Sequence, residues 1–534
     1  MIKKLKALEL NFSVFKATMI VGVFALLSRI VGLIRDRLFA SNFGAGDTLD
    51  IYYASFRIPD LVFNLLILGT LSVAFIPVFT ELLITDKPRA YRVANSILNL
   101  SFCIMTLICF VLIFFAEPIT HLLVPGFNGQ KFLDTVTLTR IFLLSPIIFT
   151  VSNLFSSILN SQKKFIIANL APILYNLGII FGLLYLYPSY GLVGLGYGVI
   201  IGAILHLLVQ IPESIRFGYA WQAIMDLKDP AVKKIVTLFL PRILGVDNSQ
   251  ISLLIGSIVG SVLATGSISV FNLANNLQAV PLGVFAISTA VAIFPLLSEL
   301  YAKKDTENFA KNLANGIIQI LFFMIPLSIA LLIYRAHIVR LAFGTGEFNW
   351  EDTILTFNTL GMFAFSLFAQ GLSPLLARAF YARQNTKIPV TVGVFTMVIN
   401  ASLALYLGKM FGVAGVAGAF SIASIFNAGV LFSILRTKIS KESSTDSRVI
   451  SSFDENLASA ISKIIISSII MGIVGYGMLY IIEPVINTHK VFGLFIQLSS
   501  SAILATATYL SISSYLKLAQ AQNLLTPILP KRFK

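Results

Sequence analysis

The second half of this chain repeats the first half at an offset of about 220 residues, and both halves are hydrophobic almost throughout. The first copy reads FRIPDLVFNLLILGTLSVAFIPVFTEL and the second reads NNLQAVPLGVFAISTAVAIFPLLSEL. Other matching positions are Pro77 and Pro295, Glu81 and Glu299, Asn95 and Asn315, Gln162 and Gln384, Asn176 and Asn400, and the segments that begin at Gly191 and Gly412. Two related hydrophobic lobes of this size favour a transporter whose working site lies between the lobes.

The composition is typical of a protein that crosses the membrane many times. Hydrophobic residues make up 57% of the chain and charged residues 12%, which lies outside the range of soluble domains. Apolar runs of about 20 residues predict an all-α polytopic fold with about fourteen transmembrane helices. The predicted spans are 14–40, 50–84, 93–115, 133–159, 165–187, 191–213, 233–263, 269–299, 309–333, 353–380, 387–408, 413–435, 458–482 and 491–516.

The spans predict two six-helix lobes followed by two further helices. Because six is an even number, both copies enter the membrane in the same direction, so the lobes form a direct repeat. A linker that mixes aromatic residues with lysines predicts an interfacial amphipathic helix between the lobes. The predicted domains are the first lobe at 1–213, this cytoplasmic linker at 214–232, the second lobe at 233–438, a polar cytoplasmic linker at 439–457, and two added helices with a basic tail at 458–534.

The net charge of +15 suggests an acidic partner, but its distribution excludes a nucleic-acid surface. The basic residues concentrate in alternate loops, for example at Lys163, Lys164, Lys303 and Lys304, rather than in one patch. The positive-inside rule therefore places these loops and both termini in the cytoplasm. An even number of spans requires the same arrangement of the termini.

Four charged residues of the first two spans are the strongest candidates for a site: Arg29, Arg35, Asp36 and Arg57. A charge at the bilayer centre costs about 2.5–3.5 kcal/mol, so these side chains are expected to face water or one another. Arg29 and Asp36 are seven residues apart and share a helix face, whereas Arg35 is expected to point elsewhere. One interpretation is an Arg–Asp pair that fixes the helical hairpin. The preferred one is a cationic cavity for an anionic substrate, because guanidinium groups bind phosphate oxygens bidentately.

The corresponding part of the second lobe carries amides instead of charges. Asn272, Asn275 and Asn276 share one helix face at positions i, i+3 and i+4. Such amides either bind sugar hydroxyls of a substrate or link neighbouring helices, and both interpretations stay open. Prolines recur in spans two and eight of the two lobes, where they bend a helix: Pro59, Pro77, Pro281 and Pro295.

Nothing in the sequence predicts an enzyme or a cofactor. The chain has no GxxxxGK[ST] phosphate loop and no HExxH motif. Cys103 and Cys109 share one apolar helix without metal-ligand spacing and are expected to be packing residues. We therefore expect a transporter without a metal site.

The segment SRIVGLIRDRLFASNFGAGDTLDIYYASFRIPDL resembles the MurJ/MviN family of bacterial lipid II flippases, members of the multidrug/oligosaccharidyl-lipid/polysaccharide flippase superfamily. Further similar segments are VPGF at 124–127, ILNSQKKFIIANLAPILYN at 158–176, PRILGVDNSQIS at 241–252 and PLGVFAISTAVAIFPLLSEL at 281–300. The resemblance implies a V-shaped pair of lobes in the bacterial cytoplasmic membrane. It also implies alternating access that moves lipid II, an undecaprenyl-diphosphate-linked muropeptide, to the outer leaflet for cell wall synthesis. Implied partners are lipid II, membrane lipid and cell wall synthesis proteins.

Residue by residue, the resemblance covers only part of the family's cavity. Arg29, Arg35 and Asp36 match the family's SRxxGxxRD motif, and Arg57 is expected to add a charge. The family commonly has an arginine pair and a nearby acidic residue in span two, where this chain has Phe63-Asn64 and Leu68. In span eight, Asn275, Asn276 and Ala279 replace an Asp-Arg pair and a downstream Glu. The last two spans are expected to line a groove for the lipid tail.

Three other functions stay open at the level of sequence. A flippase for another polyprenyl-diphosphate-linked glycan would tolerate altered head-group contacts. A cation-coupled multidrug exporter of the same superfamily is disfavoured, because it would need acidic residues where the charged residues here are mainly basic. A scaffold for an envelope-synthesis complex is the last alternative. Only the lipid II flippase is expected to restore wall synthesis in a bacterium that lacks its own.

Overall fold

A computed structural model describes residues 14–68, 71–243, 248–442, 447–488 and 490–525. Residues 1–13, residues 443–446 of the predicted polar linker and residues 526–534, which include the basic KRFK end of the predicted tail, lie outside the described residues. Clustering of contacts divides the chain into two compact units, Met1–Ile268 and Ser269–Lys534. Helices α12 and α13, defined below, group with the first unit although their sequence was assigned to the second lobe, and the predicted lobe boundaries stay a prediction.

The first unit is helical from the start of the described chain. Its helices are α1 (Val14–Phe43), α2 (Asp47–Phe63), α3 (Leu71–Thr85), α4 (Lys87–Phe114), α5 (Ala116–Leu123), α6 (Gly129–Phe142), α7 (Leu144–Ser161), α8 (Phe165–Phe181), α9 (Tyr187–Tyr190), α10 (Leu192–Leu208), α11 (Ile211–Arg216), α12 (Pro230–Ile243) and α13 (Asn248–Ser261). Local sequence explains the start of α4, where Asp86 accepts a hydrogen bond from the Arg89 amide and a proline occupies the first turn.

The second unit continues with longer helices. They are α14 (Ser267–Pro281), which begins at the unit boundary, α15 (Ser288–Ala302), α16 (Thr306–Phe343), α17 (Trp350–Ala364), α18 (Leu367–Ala382), α19 (Lys387–Glu442), α20 (Ser447–Ile482), α21 (Val491–Tyr515) and α22 (Ala519–Leu525). The sequence Asn349–Asp352 forms a capping box that begins α17.

The helices are those of a multi-pass membrane protein. In the described part of the chain, nine helices are long and apolar enough to cross a membrane, or ten if the bent pair α17 and α18 forms one span. Helix α19 contains two predicted spans, 387–408 and 413–435, separated by a kink at Gly412. The exact number of fourteen spans stays a prediction.

Two glycines that the sequence repeat pairs adopt the same unusual backbone conformation. Gly191 has φ 56° and ψ −142°, and Gly412 has φ 59° and ψ −146°. L-residues with a side chain rarely adopt this conformation, so glycine is required at both turns. Each glycine directly precedes the helical segment that follows it.

Two of the helices with matched prolines are interrupted by π-helical turns. One turn, Asn64–Leu68, follows α2, which contains Pro59. Another, Leu282–Ile287, follows Pro281 at the end of α14. These turns begin at positions that the repeat offset of about 220 residues brings into correspondence. Prolines and π-helical turns both disturb regular helical hydrogen bonding, which explains where the long helices are broken.

The predicted interfacial helix at 214–232 is wrong over most of its length. Helix α11 ends at Arg216 and α12 begins at Pro230, and residues 217–229 between them are not helical. We call residues 217–229 the strap. The side-chain amide of Asn95 donates to the Ala220 carbonyl at 2.9 Å, and that of Asn99 donates to two further strap carbonyls. These carbonyls therefore have partners on α4, which replace the hydrogen bonds of a helix.

Close glycine contacts fix α8 and the π-helical turn that follows it, Gly182–Leu186, against α10. A Cβ on Gly178 would lie 2.3 Å from Gly202 Cα, and one on Gly182 would lie 2.4 Å from Gly198 Cα. Real Cβ atoms do not approach backbone so closely, so the two helices can pack this way only through glycine. Helix α8 carries Asn176, and α1, which carries Arg35, packs along α8. The packing of these two helices therefore brings Arg35 next to Asn176.

Candidate functional site

The guanidinium of Arg35 is held in place by two side chains. Its Nε and Nη2 atoms donate to Asp36 Oδ1 at 3.0 and 2.8 Å. Its Nη1 donates to Asn176 Oδ1 on α8 at 3.0 Å, and the Asn176 amide is itself oriented by a hydrogen bond to the Pro172 carbonyl. The Arg35 side chain is 21% exposed and that of Asp36 is 5% exposed. The hydrogen bond to Asn176 thus joins α1 to α8, and about a fifth of the Arg35 side chain stays exposed.

The expected direction of Arg35 is corrected by this geometry. The sequence placed Asp36 on the face of Arg29, with Arg35 pointing elsewhere, but Asp36 forms a salt bridge with Arg35. Adjacent residues on a helix point about 100° apart, and the long arginine side chain bends back across that angle. Arg29 is half-buried on the same helix, about 9 Å from Arg35 along the helix axis.

The Arg35 guanidinium retains capacity to bind an anion. An arginine has five N–H donors in a planar fork, and the hydrogen bonds above use three of them. When the contacts of the described residues are counted, two N–H groups of Arg35 therefore remain for a further acceptor. A phosphate oxygen is the acceptor that this planar arrangement binds best.

Arg57 lies on α2 and is more deeply buried, with 7% of its surface exposed. Its Nε donates to Ser257 Oγ on α13 at 2.8 Å, and Ser257 donates in turn to the Leu253 carbonyl. The sequence suggested Arg57 as a source of positive charge but did not single out Ser257. The hydrogen bond couples α2 to α13, so Arg57 has a structural contact in this state of the protein.

A second polar contact joins α2 to the chain around α13, and sequence reasoning missed it. Lys131 Nζ on α6 lies 2.5 Å from Asp47 Oδ1 and 3.1 Å from Asp50 Oδ2. Asp50, which is 2% exposed, also accepts a hydrogen bond from the Gly266 amide at 2.8 Å. The sequence signal for this contact is the pair of aspartates in the first turn of α2. Its partners are distant in sequence and have no motif of their own.

The amides of the second unit form a chain between helices. Gln278 donates to Asn275 Oδ1 at 3.1 Å, and Gln370 on α18 donates to Gln278 at 3.0 Å. Gln370 also donates to Ser366. This chain supports helix linkage for Asn275, one of the two interpretations that the sequence left open. Asn272 is 5% exposed and Asn276 is half-buried, and their predicted substrate role stays a prediction.

The two family departures in span two have local partners. The Phe63 ring packs against Phe149 with 5.2 Å between centroids. The Asn64 side chain donates to the carbonyl of Asp60 at 2.7 Å, within its own helix. Neither residue supplies a positive charge, so Arg29, Arg35 and Arg57 are the arginines among the predicted site residues. The side chain of Leu68 lies outside the described residues.

Comparison with known proteins gives a consistent result over most of the chain. The sequence model of the family described as lipid II flippase MurJ matches residues 39–496. A probable lipid II flippase MurJ from Vibrio cholerae serotype O1 is 32% identical over 430 residues, which cover 78% of this chain and 82% of that protein. Lipid II flippase MurJ from Burkholderia cenocepacia is 26% identical over 438 residues, with 80% and 84% covered.

Solved structures agree with the sequence matches. Lipid II flippase MurJ in an inward closed conformation aligns with a TM-score of 0.73 and 26% identity over 93% of this chain and 98% of that one. An inward-facing multidrug resistance MATE family transporter of the MOP superfamily aligns with a TM-score of 0.65 and 17% identity, covering 79% and 96%. The second likeness shows a common fold. The family resemblance of the sequence is confirmed, and the chain belongs to the lipid II flippase MurJ family.

Proposed function

We propose that this protein moves lipid II from the cytoplasmic to the outer leaflet of the bacterial cytoplasmic membrane by alternating access, in support of cell wall synthesis. Membership of the MurJ family supports this proposal. So does one observation on the site: the Arg35 guanidinium is oriented by Asp36 and Asn176 and keeps two N–H groups available. Both termini are cytoplasmic in this proposal, and the two six-helix lobes form a direct repeat.

In this proposal, arginines of the first lobe bind the diphosphate. Arg35 is oriented before the substrate arrives, so less conformational entropy is lost on binding. Arg29 and Arg57 add positive charge, and Asp36 holds the Arg35 guanidinium in its orientation. Asn272 and Asn276 offer hydrogen bonds to the sugar or peptide without attracting its charge. If Asn275 also binds the substrate, its hydrogen bond with Gln278 must break.

Alternating access requires contacts that hold one state and break in another. The Asp50 carboxylate, which accepts from Gly266 and pairs with Lys131, is such a contact, and so is the hydrogen bond between Arg57 and Ser257. When the Arg57 contact breaks, its guanidinium becomes available to the substrate. A buried hydrogen-bonded charge is costly to leave without a partner, so release is favoured when an anion replaces the lost partner.

Complementation of a bacterium depleted of its own lipid II flippase tests the function. The protein is expected to restore growth and wall synthesis, and Arg35→Ala is expected to abolish this. Arg216→Ala is the matched control, because Arg216 is exposed and its salt bridge among the described residues is with Glu213 of its own short helix. Failure of the unaltered protein, when it is present in the membrane at normal levels, would contradict the proposal. Growth restored by Arg35→Ala would contradict the role of Arg35.

A flippase for a different polyprenyl-diphosphate-linked glycan is the second candidate. It is favoured by Asn276, which stands where the family commonly has an arginine and supplies no positive charge to a diphosphate. Flipping assays in vesicles with lipid II and with a polyprenyl diphosphate carrying another glycan distinguish the two. If the polyprenyl diphosphate with the other glycan is transported faster than lipid II, that lipid is the substrate instead.

A further inference from the structure

The strap and helix α4 line an open cavity of about 330 Å³ that the proposed transport does not use. Its lining comes from Tyr91, Arg92 and Asn95 of α4 and from Gly218, Ala220 and Gln222 of the strap. Gly218 has φ +91°, a conformation that favours glycine. The cavity is therefore a product of the strap's irregular backbone and would not exist beside the helix that the sequence predicted.

Several hydrogen bonds hold the strap against α4 and so define the walls of this cavity. Tyr91 donates to the Phe217 carbonyl at 2.6 Å, and Tyr219 donates to Asn95 Oδ1 at 2.6 Å. At the far end of the strap, Arg89 donates two hydrogen bonds of 2.9 Å to the Asp229 carboxylate. The cavity is thus bounded by an ordered structure rather than by a loose loop.

The charge of the cavity is positive. Arg92 is exposed on the cavity wall, and a Cβ on Gly218 would lie 3.8 Å from Lys87 Nζ, so this ammonium is near the same wall. Among the described residues, neither Arg92 nor Lys87 has a carboxylate within salt-bridge distance. Asp229, the acidic residue that ends the strap, is occupied by Arg89. An anion that enters the cavity therefore meets cations whose charge is not neutralised.

The position of the strap along α4 places it at the membrane surface. The charged residues of α4 all lie within residues 87–92 and its asparagines within residues 95–99, whereas residues 100–114 form a nearly continuous apolar run. Trp221 donates its indole N–H to Asn99 Oδ1 at 3.0 Å, at the boundary between these parts. Tryptophan is enriched at that level of a membrane, since its ring is apolar and its N–H needs a partner. Arg92 lies about 10 Å farther along the helix, at the level of lipid head groups.

The outer surface of the strap is apolar beside this basic cavity. Trp221, Met225 and Leu227 are 63%, 44% and 49% exposed. Apolar side chains that enter the interface next to a cationic cavity match both parts of one molecule, an acyl chain and an anionic head group. A soluble phosphate compound would use the charge but would leave the apolar side chains without a role.

We propose that this cavity binds the phosphodiester head group of an anionic phospholipid of the surrounding membrane. Arg92 and Lys87 attract the phosphate, Gln222 offers an amide at the cavity wall, and the exposed strap side chains contact the acyl chains. The site is separate from the proposed lipid II site, and it does not depend on which lipid-linked substrate is transported. Bound lipid anchors the strap to the membrane and so joins α11 to α12 at a fixed depth.

Trp221 provides a direct measurement. The chain has two tryptophans, so Trp350→Phe leaves Trp221 as the only one. In nanodiscs with brominated acyl chains, we expect phosphatidylglycerol to quench Trp221 with about fivefold preference over phosphatidylcholine, since a cation near the membrane surface contributes about 1 kcal/mol toward an anionic lipid. In the same background, Arg92→Gln is expected to remove most of this preference.

Two further variants separate the cavity from general surface charge. Ala220→Phe fills the cavity without changing any charge and is expected to remove the preference as well. Lys311→Gln removes an exposed cation from α16, close to the position that the sequence repeat matches to Tyr91 and outside the residues that line the cavity, and is expected to preserve it. Size-exclusion chromatography checks folding of each variant. Equal quenching by the two lipids in the parent protein overturns the proposal, as does a preference that survives both Arg92→Gln and Ala220→Phe.

Inorganic phosphate distinguishes a membrane lipid from a soluble ligand. We expect millimolar phosphate to leave the unfolding temperature of the protein in phosphatidylcholine nanodiscs unchanged, and phosphatidylglycerol to raise it. A rise with phosphate, together with no preference for phosphatidylglycerol, would assign the cavity to a soluble phosphate compound and overturn the lipid assignment.

Discussion

Arg35 donates a hydrogen bond of 3.0 Å to Asn176 Oδ1, across the packing of α1 on α8. The same guanidinium pairs with Asp36 on its own helix. A charged group inside an apolar helix is therefore oriented by one residue near in sequence and one far from it. These polar partners reduce the cost of burying the charge and fix the orientation of the guanidinium.

Removal of the Asn176 side chain is expected to weaken both folding and transport. Asn176→Ala loses a hydrogen bond to a charged group, which is expected to lower the free energy of unfolding by about 1.5–3 kcal/mol and to slow lipid II flipping. Asn169→Ala is the control on the same helix, since within the part of the chain that the structure describes its amide donates to the Phe165 carbonyl one turn away. Equal effects of both substitutions on flipping would show that Asn176 does not act through Arg35.

Arg29→Ala and Arg35→Ala are expected to abolish flipping while the protein remains folded. Lysine at either position is expected to restore only part of the activity, because an ammonium keeps the charge but lacks the planar fork that binds a diphosphate bidentately. Flipping in vesicles, with circular dichroism as the check of folding, measures this. Full activity in both alanine variants would contradict the cationic site.

Asp50→Ala is expected to loosen the contact between α2 and the chain around Gly266. The substitution leaves the Gly266 amide and Lys131 with fewer partners and is expected to cost about 3 kcal/mol, as for other broken buried pairs. Hydrogen exchange at Gly266 and its neighbours is expected to accelerate. Asp47→Ala is the control, because the Asp47 side chain is 60% exposed and pairs with Lys131 alone among the residues described. If hydrogen exchange at Gly266 is unchanged in Asp50→Ala, the Asp50 contact is not one of those that break during transport.

Asn276→Arg is expected to tighten binding of an anionic lipid by restoring a positive charge to the second unit. Asparagine supplies hydrogen bonds but no net Coulomb attraction. Transport is expected to slow even so, because a ligand held equally well in both access states gains nothing for the transition between them. Lipid II affinity and flipping rate are measured on the same purified variant. Unchanged affinity in a folded protein would identify Asn276 as a residue that links helices.

The attachment of the strap is expected to depend on pH only in the acid range. Hydrogen bonds from Arg89 lower the pKa of Asp229 below its ordinary value of 3.8. A lowered folded-state pKa stabilises the attached strap above the ordinary pKa, and this stabilisation is lost as the pH falls through the folded value. Trp221 fluorescence in the Trp350→Phe background is therefore expected to stay constant at neutral pH and to change below about pH 4.

Arg89→Gln provides the matching control for that titration. Without the guanidinium, the carboxylate loses its main partner, so the strap is expected to loosen at neutral pH and the acid transition to weaken. An acid transition of Trp221 that is identical in Arg89→Gln would place the titrating group elsewhere.

The sequence by itself determined the class of the protein and its family. Long apolar runs predict membrane helices because backbone groups in a bilayer must bond internally, and α1, α4 and α21 lie close to predicted spans. The sequence also shows glycine at the matching positions Gly191 and Gly412. Glycine recurs there because the backbone adopts a conformation that residues with a side chain rarely take. The SRxxGxxRD motif indicated the family before any contact was known.

Only the tertiary structure decided which polar groups meet. The hydrogen bond from Arg35 to Asn176 depends on how α1 packs on α8, and α8 in turn is held against α10 by close glycine contacts. The strap is the clearest failure of the sequence prediction, because its aromatic and basic residues fit an amphipathic helix. Asn95 and Asn99, more than a hundred residues away, bind its carbonyls instead. Local patterns report which surfaces are apolar, whereas hydrogen-bond partners distant in sequence depend on the packing of the whole unit.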